Sequence, residues 1–290
     1  MKKGENLSAD FGKYEAQGKR DEMEDVSTVM HINIFPDGTP CLFIGVYDGH
    51  SGRSTADYVS RQLPNELGTS MTSITITHAA IENAFMNTDE KLRVSEEDFT
   101  SGSTANICLI CPTQYICANI GDTRCVLARN KESIPLSFDH NPYLITEMER
   151  INTAGSYVRI EDHNGRKISR VNGQLAVARA FGDFEFKKSN KSNRAAKDYA
   201  VTAFPEITEI QRTRKDDFII LACDGLWDVL TNEEAVDFVY ACIEAEETAL
   251  EAAKSLVFHA LRKGTTDNVS CIVVFLRPML STVENKTRRP

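Results

Sequence analysis

Long apolar stretches are missing from this sequence. No run approaches the roughly 18 apolar residues that a transmembrane helix needs. Residues 1–6 contain no apolar core of a signal peptide, and Lys2 stands where N-myristoylation requires a glycine. We therefore expect no membrane association and a cytoplasmic and/or nuclear location.

Positive charge is also scarce. The 33 basic and 42 acidic residues give a formal net charge of −9, whereas nucleic-acid-binding proteins usually present a basic surface. The hydrophobic share of 41% and the charged share of 26% are ordinary for a globular protein. We expect no nucleic-acid partner, and a metal-dependent nuclease is disfavoured for the same reason.

Cysteine patterns typical of zinc sites or disulfide frameworks are absent. Cys108 and Cys111 have the CxxC spacing, but no second pair follows, and residues three apart in a strand lie on opposite faces. Cys271 and Arg277 have the spacing of a cysteine-based phosphatase, but residues 272–276 are apolar and include no glycine for a phosphate loop. We expect the eight cysteines to be reduced and mostly in the core.

Two kinds of periodicity alternate along the chain without strict βαβ order. Apolar runs and residue-by-residue alternation predict strands at 26–34, 42–47, 105–111, 114–120, 123–129, 218–223 and 269–276. Helical spacing predicts helices at 54–67, 78–92, 143–153 and 232–263, the last broken near 244–248 and opened by a capping box of Thr231 and Glu234. The arrangement indicates an α+β fold in which helices pack on antiparallel sheet.

Turns and loops suggest the chain's organisation. Short turn signals at 112–113 and 121–122 predict a three-stranded antiparallel meander over 105–129. The basic segment Lys187–Lys197 predicts an exposed loop. Since no repeat or low-complexity linker interrupts the sequence, we expect a single domain over 1–290, with a core of about 11–276 and short tails.

Two apolar strands run directly into an acid and a glycine. Residues 42–47 are followed by Asp48-Gly49, and residues 218–223 by Asp224-Gly225. Asp-Gly is also a common turn sequence. However, a carboxylate at the mouth of a buried strand is costly unless a positive charge lies opposite it, and two such acids side by side repel each other unless a cation lies between them. Together they favour a metal site.

Three further acids fit the same site. Asp267 precedes the strand at 269–276, and Glu24 and Asp25 precede the strand at 26–34. In an antiparallel sheet, the end of one strand meets the start of its neighbour at the same edge. Oxygen donors without cysteine or paired histidine select hard cations, Mg²⁺ or Mn²⁺. Two such ions can activate a water and stabilise an in-line displacement.

His50 and Arg20 add phosphate chemistry to these acids. His50 directly follows Asp48-Gly49, where an imidazole can protonate a leaving alkoxide. Arg20 lies four residues before Glu24 and can bind phosphate oxygens with its forked donors. On its own, a histidine after a turn is usually a polar surface residue, and the spacing of Arg20 alone is also compatible with an exposed loop arginine.

An ordered series of motifs resembles the type 2C (PPM) metal-dependent protein serine/threonine phosphatases. The series runs in family order and, with its flanking strands, covers about residues 11–276. The matching segments are 20–25, 46–52, 101–105, 119–124, 139–142, 170–173, 180–183, 221–228 and 266–270.

The resemblance implies a four-layer fold: a central sandwich of two antiparallel β-sheets flanked by α-helices, with two metal ions at one end and a weaker third. By family pattern, Asp48 bridges the two ions and Arg20 and His50 are the catalytic residues, Arg20 holding the phosphate and His50 acting as general acid. The implied metal-binding residues are Glu24, Asp25, Asp48, Gly49 through its carbonyl, Asp122, Asp224 and Asp267.

The expected function is Mg²⁺- or Mn²⁺-dependent hydrolysis of phosphoserine and phosphothreonine in proteins. We expect direct attack by a metal-bridging hydroxide, because no suitably placed protein nucleophile accompanies the acids. Phosphoprotein substrates and a monomeric state complete this reading. The alternative is a catalytically inactive pseudophosphatase that keeps the fold and regulates a partner by binding it. Such proteins typically lose metal-binding acids, and here all of them are present.

Overall fold

Two five-stranded β-sheets form the centre of the computed structural model, which describes residues 10–32, 41–70, 76–95, 100–163, 166–187 and 195–276. The strands are β1 (Asp10–Ala16), β2 (Val26–Ile32), β3 (Cys41–Tyr47), β4 (Gly49–His50), β5 (Gly102–Ser103), β6 (Ala105–Ile110), β7 (Gln114–Ile120), β8 (Arg124–Arg129), β9 (Glu132–Pro135), β10 (Val158–His163), β11 (Arg166–Val171), β12 (Phe181–Gly182), β13 (Glu206–Gln211), β14 (Asp216–Ala222) and β15 (Val269–Phe275). The helices are α1 (Ser54–Ser70), α2 (His78–Arg93), α3 (Ile145–Thr153), α4 (Asp224–Trp227), α5 (Asn232–Glu244) and α6 (Ala249–Lys263), with a short 3₁₀ helix at Ala196–Asp198.

Every strand pair within these sheets is antiparallel. Sheet I has the order β13-β7-β6-β3-β2, and sheet II has the order β1-β15-β14-β8-β9. Two smaller sheets accompany them: the hairpin β10-β11 and a three-stranded sheet of order β12-β5-β4. We call the latter the small sheet.

The two large sheets pack face to face, and helices cover their outer faces. One core cluster joins side chains of β3, β6 and β7 in sheet I to side chains of β8, β14 and β15 in sheet II. A second lies between sheet I and helices α1 and α2, and a third between sheet II and helices α5 and α6. The result is the expected α+β architecture, a sandwich of two antiparallel sheets flanked by helices.

Burial on both faces explains the unbroken apolar runs before the two acids. Successive side chains of a strand point to opposite faces. In β3, Ile44 contributes to the core between the sheets while Phe43 packs under the helices. In β14, Leu221 and Ile220 divide in the same way. A strand with no solvent-facing side has no position for a polar residue until it ends.

The helix predictions match the structure closely. The segment 232–263 is two helices, α5 and α6, separated at residues 245–248. The capping box of Thr231 and Glu234 is present: the Thr231 hydroxyl accepts from the Glu234 backbone, and the Glu234 carboxylate accepts from the Thr231 backbone. Thr248 and Glu251 form a second capping box at the start of α6.

The predicted meander over 105–129 is wrong in its third strand. Strands β6 and β7 pair as expected, but β8 belongs to the opposite sheet, where it pairs with β14 and β9. The chain crosses from sheet I to sheet II at Gly121, whose φ of +98° is a conformation that glycine adopts without strain. This crossing carries Asp122 to the same end of the sandwich as Asp48 and Asp224.

The exposed loop predicted for Lys187–Lys197 is wrong at its first residue. Lys187 is buried, and its ammonium group donates to both carboxylate oxygens of Asp89 at 2.7 Å. Residues 188–194 lie outside the described residues, and Lys197 is exposed in the 3₁₀ helix.

Among the described residues, no helix combines the length and the hydropathy of a membrane span. All eight cysteines are buried and free, and Cys108 and Cys111 contribute to different core clusters, as their spacing predicts.

Candidate metal centre

The acids predicted from the sequence meet at one end of the sandwich, because strands of both large sheets begin or end there. In sheet I, Val26 pairs with Tyr47. Asp25, which precedes Val26, and Asp48, which follows Tyr47, therefore lie at the same edge of the sheet. In sheet II, β14 ends at Ala222 opposite Cys271, which places Asp224 beside the start of β15.

Carboxylates from both sheets and from the crossing between them form a cluster. Ligand atoms of Asp48, Asp122 and Asp224 lie within 4.8 Å of one another, and so do those of Asp25, Asp48 and Cys223. Asp48 is common to both groups. We call Asp25, Asp48, Asp122 and Asp224 the acid cluster.

Burial, followed by the charges of nearby acids, raises the pKa of every member of this cluster. Burial raises the pKa of Asp25 to about 6 and that of Asp122 to about 7, and neighbouring acids add to both shifts. For Asp48 and Asp224 the pKa rises well above its ordinary value, again through burial first and then through the charges of the surrounding aspartates. Charged acids at such distances need a compensating cation.

The burial and the donor atoms of the acid cluster are suited to binding a divalent cation. Asp25 is 1% exposed, and its Oδ2 has no hydrogen-bond partner in the protein. A buried carboxylate oxygen without a donor costs free energy unless something else compensates it. The donor set of the cluster is carboxylate oxygen, which hard divalent cations prefer. The neighbouring Cys223 thiol already accepts from the Ser270 backbone at 3.1 Å.

Gly49 and Glu24 lie against each other at the edge of the cluster. A Cβ atom added at Gly49 would lie 2.5 Å from the Glu24 carbonyl oxygen, so only glycine permits this approach. The Glu24 carboxylate accepts from the Gly52 backbone. The Glu24 backbone donates to Asn268 Oδ1 at 2.8 Å, which ties the segment before β2 to the segment before β15.

Arg20 and Asp267 form an ion pair at the mouth of the site. Arg20 Nη2 lies 2.6 Å from Asp267 Oδ2, and the two side chains are 55% and 30% exposed. Asp267 belongs to neither 4.8 Å group, although its charge contributes to the raised pKa of Asp48 and of Asp224. The structure therefore places Asp267 beside the acid cluster with one oxygen held by Arg20.

His50 lies next to the cluster on strand β4. Its Nε2 is 2.8 Å from Asp183 Oδ2. Burial lowers the pKa of His50, but the hydrogen bond and the charge of Asp183 outweigh it, so that the pKa is raised above its ordinary value. The residues predicted for the site all lie at the same end of the sandwich.

Three residues that hydrogen-bond to the predicted site residues were not themselves predicted from the sequence. Asp183 and Asn268 lie in motifs that were recognised but given no role, and their partners, His50 and Glu24, are far away in the chain. Thr104 was missed in the same way: its hydroxyl accepts from the Asp48 backbone at 3.2 Å. None of these three residues directly follows a long apolar strand, so only the fold reveals their contacts.

Comparison with known proteins gives consistent matches. The family model described as protein phosphatase 2C matches residues 9–269. A probable protein phosphatase 2C of Caenorhabditis elegans is 42% identical over 77% of this chain and 60% of its own length. Probable protein phosphatase 2C 71 of Arabidopsis thaliana is 39% identical over 93% of this chain and 56% of its own length. Protein phosphatase 1A of Homo sapiens is 36% identical over 93% and 72% of the two chains.

Solved structures share the fold. A phosphatase of Toxoplasma gondii superimposes with a TM-score of 0.77 at 22% identity, over 92% of this chain and 94% of its own. A sex-determining protein of C. elegans gives the same TM-score of 0.77 at 24% identity, over 93% and 65%.

The fold is the one seen in solved phosphatase structures. Within that class, the chain belongs to the protein phosphatase 2C family. It spans 60% and 56% of the length of the first two curated relatives described above.

Proposed function

We propose that this chain hydrolyses phosphoserine and phosphothreonine in proteins, with Mg²⁺ or Mn²⁺ as its cofactor. The observation that carries the proposal is the acid cluster, in which Asp48, Asp122 and Asp224 converge from two sheets and the crossing between them. The acid cluster includes four of the seven metal-binding residues that the family resemblance implies.

The proposed metal ligands form two groups, according to how close their oxygen atoms lie to one another. Asp48, Asp122 and Asp224 would hold the ions directly, because carboxylate oxygens of all three lie within 4.8 Å of one another. Asp25, Glu24, Asp267 and the Gly49 carbonyl complete the site, directly or through bound water. When bound, two divalent ions and a weaker third would supply an activated water and would neutralise charge on the phosphoryl oxygens.

Arg20 binds the substrate phosphate in this proposal. Its guanidinium is 55% exposed at the mouth of the site and is held by Asp267 through one nitrogen. The remaining donors of the fork stay available to phosphate oxygens. The ion pair with Asp267 fixes the side chain before substrate arrives, which reduces the entropy lost on binding.

His50 donates the proton that the serine or threonine alkoxide needs when it leaves. An alkoxide is a poor leaving group, so protonation in the transition state contributes substantially to the rate. The ring lies beside the acid cluster and is 26% exposed, which leaves one edge open to substrate.

The surroundings of the cysteines favour direct attack by water rather than a phosphoenzyme. Cys223 is the thiol nearest the cluster, and burial, followed by the neighbouring aspartates, raises its pKa well above the ordinary value. A thiol in such surroundings is not a nucleophile. Cys271 lies inside β15 and is fully buried, so its spacing to Arg277 has no catalytic meaning.

The proposal extends to the organisation of the protein. We infer a monomeric phosphatase domain with phosphoprotein substrates, located in the cytoplasm and/or nucleus. A pseudophosphatase role is not favoured, because the acids that such proteins typically lose are retained and gathered in one cluster.

The test is phosphate release from a phosphoserine peptide. Protein freed of metal by chelation should be inactive, and Mg²⁺ or Mn²⁺ should restore turnover. Asp48→Asn serves as the matched inactive control, because it keeps the shape of a proposed ligand. Folded wild-type protein that releases no phosphate with either ion would refute the proposal and favour the binding role.

A further inference from the structure

His50 is fixed in place by a buried carboxylate. Asp183 Oδ2 lies 2.8 Å from His50 Nε2, and the Asp183 side chain is 7% exposed against 26% for His50. A histidine ring has two nitrogens, and a hydrogen bond at one determines what the other can do. With Nε2 bound to Asp183, Nδ1 is the nitrogen left for a substrate.

The small sheet brings the two residues together. His50 of β4 pairs with Gly102 of β5, and Gly102 pairs with Gly182 of β12, so Asp183 leaves the sheet beside the His50 side chain. Strands β5 and β12 belong to two sequence motifs, 101–105 and 180–183, to which no chemical role had been given. Their role here is to hold a carboxylate against the ring.

Gly102 makes room for the contact. A Cβ atom at this position would lie 2.2 Å from Asp183 Oδ2 and 2.2 Å from His50 Nε2. Real Cβ atoms do not come so close to other heavy atoms, so any larger residue would push the pair apart. The glycine is required by this hydrogen bond.

The backbone directly before Asp183 is held by the buried ion pair of Asp89 and Lys187. Asp183 and Gly182 have φ values of +50° and +69°, and the Gly182 backbone donates to Asp89 Oδ1 at 3.0 Å. Asp89 in turn accepts from Lys187 at 2.7 Å. A residue held in the left-handed region persists only where its surroundings support it, and such positions cluster at functional sites.

We propose that Asp183 is a positioning residue that orients the His50 ring, so that Nδ1 faces the oxygen of the leaving serine or threonine. Asp183 does not touch the substrate. It fixes the proton on Nε2 and the rotation of the ring, as carboxylates do for other catalytic and ligating histidines. This inference rests on the proposed phosphatase function and on the proton-donating role of His50.

The kinetic test compares two substrates in Asp183→Asn. Asparagine keeps the shape and tolerates a positive φ, but it no longer holds the ring by its charge. We expect kcat on a phosphoserine peptide to fall about 10- to 100-fold with KM unchanged. We expect kcat on an aryl phosphate, whose leaving group needs no proton, to change about threefold at most. Adding His50→Ala should produce little further loss, because the two residues act as a unit.

The matched control is Asp216→Asn. Asp216 is a buried, ion-paired aspartate bound to Arg129 at 2.6 Å on sheet II, away from the proposed site. If Asp183 only supports the fold, both variants should affect the two substrates equally. Asp183→Gly provides a second variant, since glycine fits the φ of +50°. Equal losses on both substrates, or no loss, would overturn the proposal.

A measurement independent of turnover uses NMR on metal-free protein. The His50 Nε2 proton should be observed as a slowly exchanging, strongly deshielded signal in the wild type and should be lost or shifted in both Asp183 variants. An unchanged Nε2 signal would overturn the positioning role whatever the kinetics. An inactive wild type would refute the proposed function, while this signal would still decide whether Asp183 holds the ring.

Discussion

Asp25 is the most deeply buried acid of the cluster, and its replacement by asparagine should stabilise the metal-free protein. At neutral pH without metal, the Asp25 carboxylate is buried beside Asp48 with an oxygen that has no hydrogen-bond partner. Asparagine keeps the shape and removes the charge. Since no cation compensates that charge after chelation, the variant should unfold less easily than the wild type.

The size of the effect follows from the pKa. The pKa of Asp25 is raised from its ordinary value of 3.8 to about 6 in the folded protein, chiefly by burial. Because the folded pKa lies above the unfolded one, the penalty is absent below pH 3.8, grows as the pH rises through this window and is complete above about pH 6. At about 1.4 kcal/mol per pKa unit it reaches about 3 kcal/mol.

The assay is urea denaturation followed by the fluorescence of Trp227, the single tryptophan. After chelation, the gain from Asp25→Asn should be about 2 kcal/mol larger at pH 7.5 than at pH 4.5. Saturating Mn²⁺ should reverse the order at pH 7.5, because the ion stabilises the native state that retains the ligand. Asp216→Asn is the control: Arg129 and other donors lower the Asp216 pKa against the effect of burial, so its loss should destabilise the protein at pH 7.5. A gain from Asp25→Asn that does not depend on pH would refute the reasoning.

Three further predictions concern activity. Asp48→Asn and Asp224→Asn should each reduce Mn²⁺-dependent phosphate release by at least about 100-fold with an unchanged circular dichroism spectrum; normal activity in both would remove them from the metal site. Arg20→Ala should lower kcat/KM on phosphopeptides about 10- to 100-fold, or about 1.5–3 kcal/mol, through loss of charged hydrogen bonds to phosphate, and an unchanged kcat/KM would exclude phosphate binding by this residue. Gly102→Ala should slow phosphoserine peptides more than aryl phosphates, because its Cβ would displace the pair of His50 and Asp183; equal rates of loss would indicate a general packing defect.

The strands that the sequence predicts best are those buried on both faces. The runs of β3 and β14 have no solvent-facing side, so their apolar signal is continuous and the acids after them stand out. Strand β1 was missed because none of its side chains is fully buried and only Phe11 and Tyr14 are large and apolar. The sequence pattern also predicted that the acids lie at the edge of one sheet, whereas strands of both large sheets carry them.

Sheet membership and long-range pairs could not be predicted. Strand β8 has the same apolar character whichever sheet it joins, so the turn before it gave no indication that the chain changes sheets. Lys187 reads as an exposed cation until its partner Asp89 is known. The contact between His50 and Asp183 depends on the small sheet, whose strands of two residues each carry no periodicity.

An anomalous difference map from a Mn²⁺-soaked crystal would show whether folding gathers the distant acids into one divalent-metal centre. We expect manganese peaks between Asp48 and Asp224, with Asp122 and Asp25 at the same site. A well-ordered crystal in which no manganese is coordinated by Asp48 or Asp224 would contradict it.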